Sequence, residues 1–179
     1  MQRTFKTRLK NLTPESIAAL GGYASLHGIV KRSLFAALQS GRELKDIKRD
    51  FLVLFGITSR QFNAAEVSVR GLITAQKTTR ALRIASLKRK IKRDEKVLSR
   101  KKKPLKPAAA HNKKRRRDSL KLELAKLEAD TNPHICFGTK KLFRSQFNEG
   151  TDQKKWKQEW QESRNNQFYV VGSNDENAG

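Results

Sequence analysis

The 179-residue sequence predicts an α+β chain, mostly helical, in which a small sheet built from both ends of the chain is interrupted by a helical insertion. Three observations carry that expectation. At the start, Phe5, Thr7 and Leu9 alternate with Lys6, Arg8 and Lys10, the period of two of a strand with one wet, cationic face. In the middle, apolar residues recur at three- and four-residue intervals between capping signals. Near the end, Ile135-Cys136-Phe137-Gly138 and Gln167 to Val171 are short strand candidates. The expected division is a first strand over 1–11, a helical lobe over 12–132, the remaining strands and a short helix over 133–173, and a polar tail over 174–179.

The elements follow in order. Thr13-Pro14 supplies an N-cap and a proline at the first helical position, opening a helix through Ile17 and Leu20 that the Gly21-Gly22 pair is expected to interrupt. A second stretch runs from about Tyr23 to Gln39 and stops at Ser40-Gly41. A third runs from about Glu43 to Leu54 with Gly56 as its stop. Thr58 or Ser59 caps the longest helix, which continues toward Lys103. Some 45 residues of helix would span about 65 Å, so a kink near Gly71 is expected. Ile84, Leu87, Ile91 and Leu98 form its apolar seam, with Asp94 at the missed position, and Leu120, Leu124 and Leu127 form a matching seam further on. Pro104 and Pro107 break the helix between them. The result is a basic αα-hairpin over about 79–130. Asn132-Pro133 ends the helical region, and Thr151-Asp152 caps a short helix carrying Trp156 and Trp160 on one face.

Charge sharpens the reading. Forty Lys and Arg against 17 Asp and Glu give a net charge of +23. Residues 1–87 hold +10, 88–117 hold +14 and 118–179 hold −1. Self-repulsion of this size is best tolerated beside a polyanion, so nucleic acid is the leading partner and an anionic membrane surface the second. The hairpin tip supplies the densest candidates: Lys88, Arg89, Lys92, Lys101, Lys102, Lys113, Arg115 and Arg116. No apolar run is long enough for a membrane span and the first ten residues do not form a signal peptide, which predicts a cytoplasmic protein, nucleoid-associated if bacterial.

Chemical motifs are sparse. One cysteine, Cys136, and three scattered histidines offer neither a disulfide framework nor a metal-ligand spacing, and no metal or cofactor is expected in this chain. Phosphate-cradling and nucleophile-elbow motifs are missing, and Asp175-Glu176 sits in the polar tail without a partner carboxylate; no catalytic residue is assigned. Cys136 reads as a small core residue, and the two tryptophans read as core in preference to base-stacking rings. The segment best suited to reading a base sequence is the capped helix start, where Ser59, Arg60, Gln61 and Asn63 precede the apolar stripe. An ordinary polar first turn has the same composition.

These segments together resemble a known family. F-G-I-T-S-R-Q-F-N-A, the basic hairpin, H-I-C-F-G-T-K-K-L-F-R-S-Q-F-N, W-K-Q-E-W-Q-E-S-R-N-N-Q-F and Y-V-V-G-S-N-D-E-N-A-G look like the N-terminal portion of TnpB-like proteins. Those are transposon-encoded RNA-guided nucleases, often described as transposases and related to type V CRISPR effectors. The resemblance covers nearly the whole chain and is most specific over Ile135 to Asn148. It implies a split oligonucleotide-binding wedge, a barrel-like sheet formed by the terminal strands, with a recognition lobe inserted. It also implies guide RNA and DNA as partners.

By that resemblance Ser59, Arg60, Gln61 and Asn63 approach the motif flanking the target. Lys6, Arg8, Lys10, Lys140, Lys141 and Arg144 contact RNA through the wedge. Base pairing would supply the long specificity while the protein reads backbone shape and one short duplex motif. The family's RuvC-like nuclease domain, with its acidic triad and divalent metal, has no counterpart here, so binding without cleavage is the expected role. Two alternatives stand beside it: half of a split nuclease completed by a separate RuvC-like polypeptide, and a sequence-indifferent RNA-binding protein.

Overall fold

The computed structural model describes residues 10–169, and among them there are six helices and no strand. They are α1 (Pro14–Gln39), α2 (Leu44–Phe55), α3 (Ser59–Leu98), α4 (Pro107–Ala129), α5 (Lys140–Ser145) and α6 (Gln153–Asn165). The expected α+β class with a split β-wedge is therefore corrected to an all-helical arrangement over the described residues. The Phe5–Leu9 strand lies outside them, as do Val170 and Val171 of the last strand candidate; Gln167 to Tyr169 are not strand. Ile135 to Gly138 are irregular, and the contacts that Phe137 and Gly138 make go to helices, not to a neighbouring strand. The Phe137 ring meets Phe35 of α1 edge-on at 5.6 Å, and Gly138 lies against the Trp160 indole of α6.

Local chemistry sets the helix ends. Thr13 caps α1 by accepting from the Ser16 N–H at 3.2 Å, with Pro14 at the first position. Gly56, at φ +60°, closes α2 in the left-handed conformation that side chains disfavour. Asp152 accepts from the Lys154 and Lys155 amides to start α6. α1 runs unbroken through Gly21-Gly22, against expectation. Each glycine costs about 1 kcal/mol relative to alanine, and burial of Ala24, Val30 and Leu34 further along the helix offsets that cost.

Contacts divide the chain into two compact units: described residues up to Arg70 together with those from Cys136 onward, and Gly71–Ile135. α3 is one continuous helix whose first turns belong to the first unit and whose remainder belongs to the second.

The first unit has the larger core. Leu34, Ile47 and Phe62 are fully buried with Phe51, Ile57, Ala65 and Val69 around them, each large side chain contributing roughly 1.5–3 kcal/mol. Phe51 meets Phe55 and Phe62 edge-on. α6 crosses α1 at Gly28, where a Cβ would lie 2.7 Å from Asn165 Oδ1 and 2.8 Å from the Arg164 carbonyl. Glycine is what permits that approach. Arg32 of α1 donates to Asn165 Oδ1 at 2.9 Å and to the Arg164 carbonyl at 3.4 Å, placing a cation at the negative end of α6. Trp156 donates to the Leu142 carbonyl at 2.8 Å and stacks on Trp160, fixing α5 to α6.

The second unit is a hairpin of α3 and α4 joined by residues 99–106. Its seam is Ile84, Leu87, Ile91, Asp94 and Leu98 on α3, and Ala110, Lys113, Arg117, Leu120, Leu124 and Leu127 on α4, all buried or half-buried. Both series step by threes and fours. Arg80 reaches across with Nε and Nη2 to the Leu127 carbonyl at 3.0 and 2.6 Å, satisfying a backbone acceptor in the last turn of α4. Arg83–Glu123 at 2.6 Å, Lys88–Glu128 at 2.8 Å and Lys121–Glu95 at 2.6 Å flank the seam.

Candidate nucleic-acid interface

The hairpin separates its cations into two sets. One set is spent on the fold. Lys113 lies 3.1 Å from Asp94 Oδ1, and Arg116 Nε lies 3.6 Å from Asp94 Oδ2, an ion pair without a hydrogen bond. Asp94 is only 3% exposed, so these two residues neutralise a carboxylate that water does not reach. Lys88 pairs with Glu128, and Arg117 with Asp118 at 2.7 Å.

The other set faces solvent. Sixteen of the residues from 88 to 117 are basic; four carry the pairings just described, and twelve have no carboxylate partner among the described residues. Arg89, Lys92, Arg93 and Lys96 at helical spacing on α3, with Arg100 just past the helix end, form an exposed stripe about half a turn from the Leu87–Ile91–Asp94 seam. The α3 part of the stripe is about 11 Å long at 1.5 Å per residue, and one strand of a duplex carries a phosphate every ~3.4 Å of axis. Its four cations thus match about four phosphates. Lys101, Lys102 and Lys103 extend the positive surface through the loop, and Lys114 and Arg115 lie exposed on α4.

The candidate residues read from sequence therefore fall into groups. Arg89, Lys92, Lys101, Lys102 and Arg115 belong to the free hairpin set, whereas Lys88, Lys113 and Arg116 are engaged. Sequence reasoning did not assign Arg93, Lys96, Arg100 or Lys114 to the interface. The signal was present in their spacing, offset from the apolar seam.

At the start of α3 the polar residues have separate tasks. Thr58 and Gln61 form a reciprocal cap: the Gln61 amide donates to Thr58 Oγ1 at 3.2 Å and Gln61 Oε1 accepts from the Thr58 N–H at 2.8 Å. Asn63 Oδ1 accepts from Lys48 Nζ of α2 at 3.0 Å. Ser59 and Arg60 are exposed, and Arg60 has no charged partner among the described residues. Two of the four residues expected to read a base sequence are thus engaged within the fold, Gln61 in the cap and Asn63 with Lys48 of α2.

Lys6 and Arg8 lie outside the described residues, while Lys10 is exposed just before α1. Lys140, Lys141 and Arg144 are exposed on α5 with no ion-pair partner among the described residues. Between α1 and α6 the first unit also holds desolvated cations. Burial first and Arg32 second hold Lys31 below the usual lysine range, and burial together with Arg164 lowers Arg32. His27, 3% exposed, has no hydrogen-bond partner for Nε2, and burial, helped by Lys31, lowers its pKa to about 4.

Among the described residues no group of three His, Cys, Asp or Glu side chains is placed to hold a metal ion, and no helix is long and apolar enough to cross a membrane. Comparison with family models, curated proteins and solved structures returns no match to the chain.

Proposed function

We propose that this protein binds nucleic acid through phosphate contacts made by the distal half of the α3–α4 hairpin, without cutting it. The observation that carries this reading is the stripe from Arg89 to Arg100, whose cations have no carboxylate partner among the described residues while both acidic residues of the tip, Asp94 and Glu95, are paired to α4. A surface that merely kept the protein soluble would intersperse acids with its bases. The contacts are to backbone, so the hairpin discriminates poorly among sequences.

The resemblance to TnpB-like proteins narrows the proposal to a guide RNA and its DNA target, with Arg60 as the side chain available for a flanking motif. In the split-nuclease alternative the cutting chain is a separate RuvC-like polypeptide, which an adjacent open reading frame would reveal.

The test is a salt titration of RNA and DNA binding between about 50 and 500 mM. Six or more phosphate contacts give a log–log slope near −5 or steeper, and reversing Arg89, Arg93 and Lys96 to glutamate flattens it by about three. A shallow slope in the unaltered protein would overturn the reading.

A further inference from the structure

We infer that α5 and the turn after it form a stacking platform for unpaired bases of a single-stranded nucleic acid, with Phe147 as the stacking ring and Lys140 and Arg144 holding the flanking phosphates. Four residues at helical spacing, Lys140, Phe143, Arg144 and Phe147, make the surface, and the Phe147 amide donating to the Arg144 carbonyl at 3.2 Å extends the turn to the last of them. Phe147 is 75% exposed and Phe143 43% exposed. Leaving a phenyl ring this open forgoes the gain of burying it, and single exposed rings are common enough to need no explanation. Here the ring is braced. Phe147 meets Phe143 edge-on at 6.1 Å, Phe143 leans on Trp160 at 5.7 Å, and Trp160 stacks on Trp156, whose indole N–H is held by Leu142. A rigid aromatic series ending in an exposed ring loses little side-chain entropy when a base stacks on it.

Charge selects the occupant. Lys140 and Arg144 are exposed and have no ion-pair partner among the described residues, so the patch combines an open ring with uncompensated cations, the pairing single-strand binders use. A duplex keeps its base faces stacked and cannot fill the site. The inference rests on the nucleic-acid reading above but uses different residues and a different readout.

The experiment compares Phe147→Ala with the unaltered protein on a ten-nucleotide oligo(dT) or oligo(U) and on a duplex of equal length. Stacking on one ring predicts roughly five- to hundredfold weaker single-strand binding, an unchanged salt slope and less than twofold change on duplex. Phe147→Trp should restore single-strand binding. Unchanged thermal melting of Phe147→Ala excludes a folding defect at this exposed position. Equal losses on both ligands, or no loss, overturn the platform while leaving the hairpin reading intact. A dimer that Phe147→Ala splits also overturns it, since the ring would then serve a second copy. A shallow salt slope with Phe147-dependent oligo binding retained would remove the hairpin reading and leave the platform standing.

Discussion

Asp94 on α3 and Lys113 on α4 face each other at 3.1 Å across the hairpin seam, a charged pair at a position where the flanking seam residues, Ile91 and Leu98, are apolar. A carboxylate taken out of water is tolerated only while its partners stay in place. Asp94→Ala leaves Lys113 without its counter-charge and is expected to cost about 2–4 kcal/mol of stability, whereas Asp94→Leu with Lys113→Leu should fall within about 1 kcal/mol of the parent or above it. Urea denaturation followed by far-UV circular dichroism measures both. Equal losses in the two variants would show that the pair does not set the cost.

The glycines of α1 give opposite signs. Nothing lies within 4 Å of a Cβ built at Gly22, so Gly22→Ala should stabilise by about 0.5–1 kcal/mol through helix propensity. Gly28→Ala meets Asn165 Oδ1 and the Arg164 carbonyl, and should destabilise by roughly 1–3 kcal/mol as α6 is pushed away. Thermal melts of the two variants should move in opposite directions.

His27 makes stability depend on pH. Its ring lies near Tyr23 and Lys31 of α1, and it lines a small cavity with Ile57 and Gln61. The native pKa of about 4 lies below the ordinary value of 6.5, so between those values the unfolded chain binds the proton and the native chain does not. The neutral-histidine contribution is therefore complete above about pH 6.5 and is lost as pH falls toward 4. His27→Leu should remove roughly 2–3 kcal/mol of the acid-side loss seen in the parent. Parallel acid-side slopes in the two proteins would refute it.

The start of α3 separates a cap from a contact. Gln61→Ala should cost about 1 kcal/mol of stability by opening the Thr58 cap while leaving nucleic-acid discrimination unchanged. Arg60→Ala should leave stability unchanged and reduce discrimination among duplex motifs by about 1–3 kcal/mol if it pairs bidentately with a base. Melting curves and competition binding on the same two proteins distinguish the roles.

Helix ends are legible in this sequence because capping is local. Thr13-Pro14, Gly56, Pro107 and Asp152 each act through their own backbone or an amide two or three residues away. The sheet is a different matter. A short apolar run such as Ile135 to Phe137 says that its side chains are covered without saying by what. In this fold Phe35 and Trp160, both on helices, line that segment. Gly21-Gly22 misleads for a related reason, since propensity is overridden by the burial of residues further along α1.

In the hairpin, composition locates the positive charge but not its availability. Lys113 and Arg116 look like their neighbours Lys114 and Arg115 until Asp94 is seen to be buried opposite them. The stripe of Arg93, Lys96 and Arg100 needed only the seam's period to be extended to the opposite face.

The first unit is discontinuous in sequence, interrupted by the 65 residues from Gly71 to Ile135. Its α1–α6 contact at Gly28 therefore cannot form during synthesis until α6 has been made, although the buried core residues from Ala24 to Val69 all precede the interruption. The hairpin's contacts close within its own segment, so it can form earlier. Once Arg80 has gripped the end of α4, the interruption acts as a short closed loop instead of a long flexible one. That lowers the entropy cost of joining the later helices to the earlier ones. The expected order is thus the hairpin before the docking of α6 on α1, with the segment that carries the most charge preparing that last contact of the first unit.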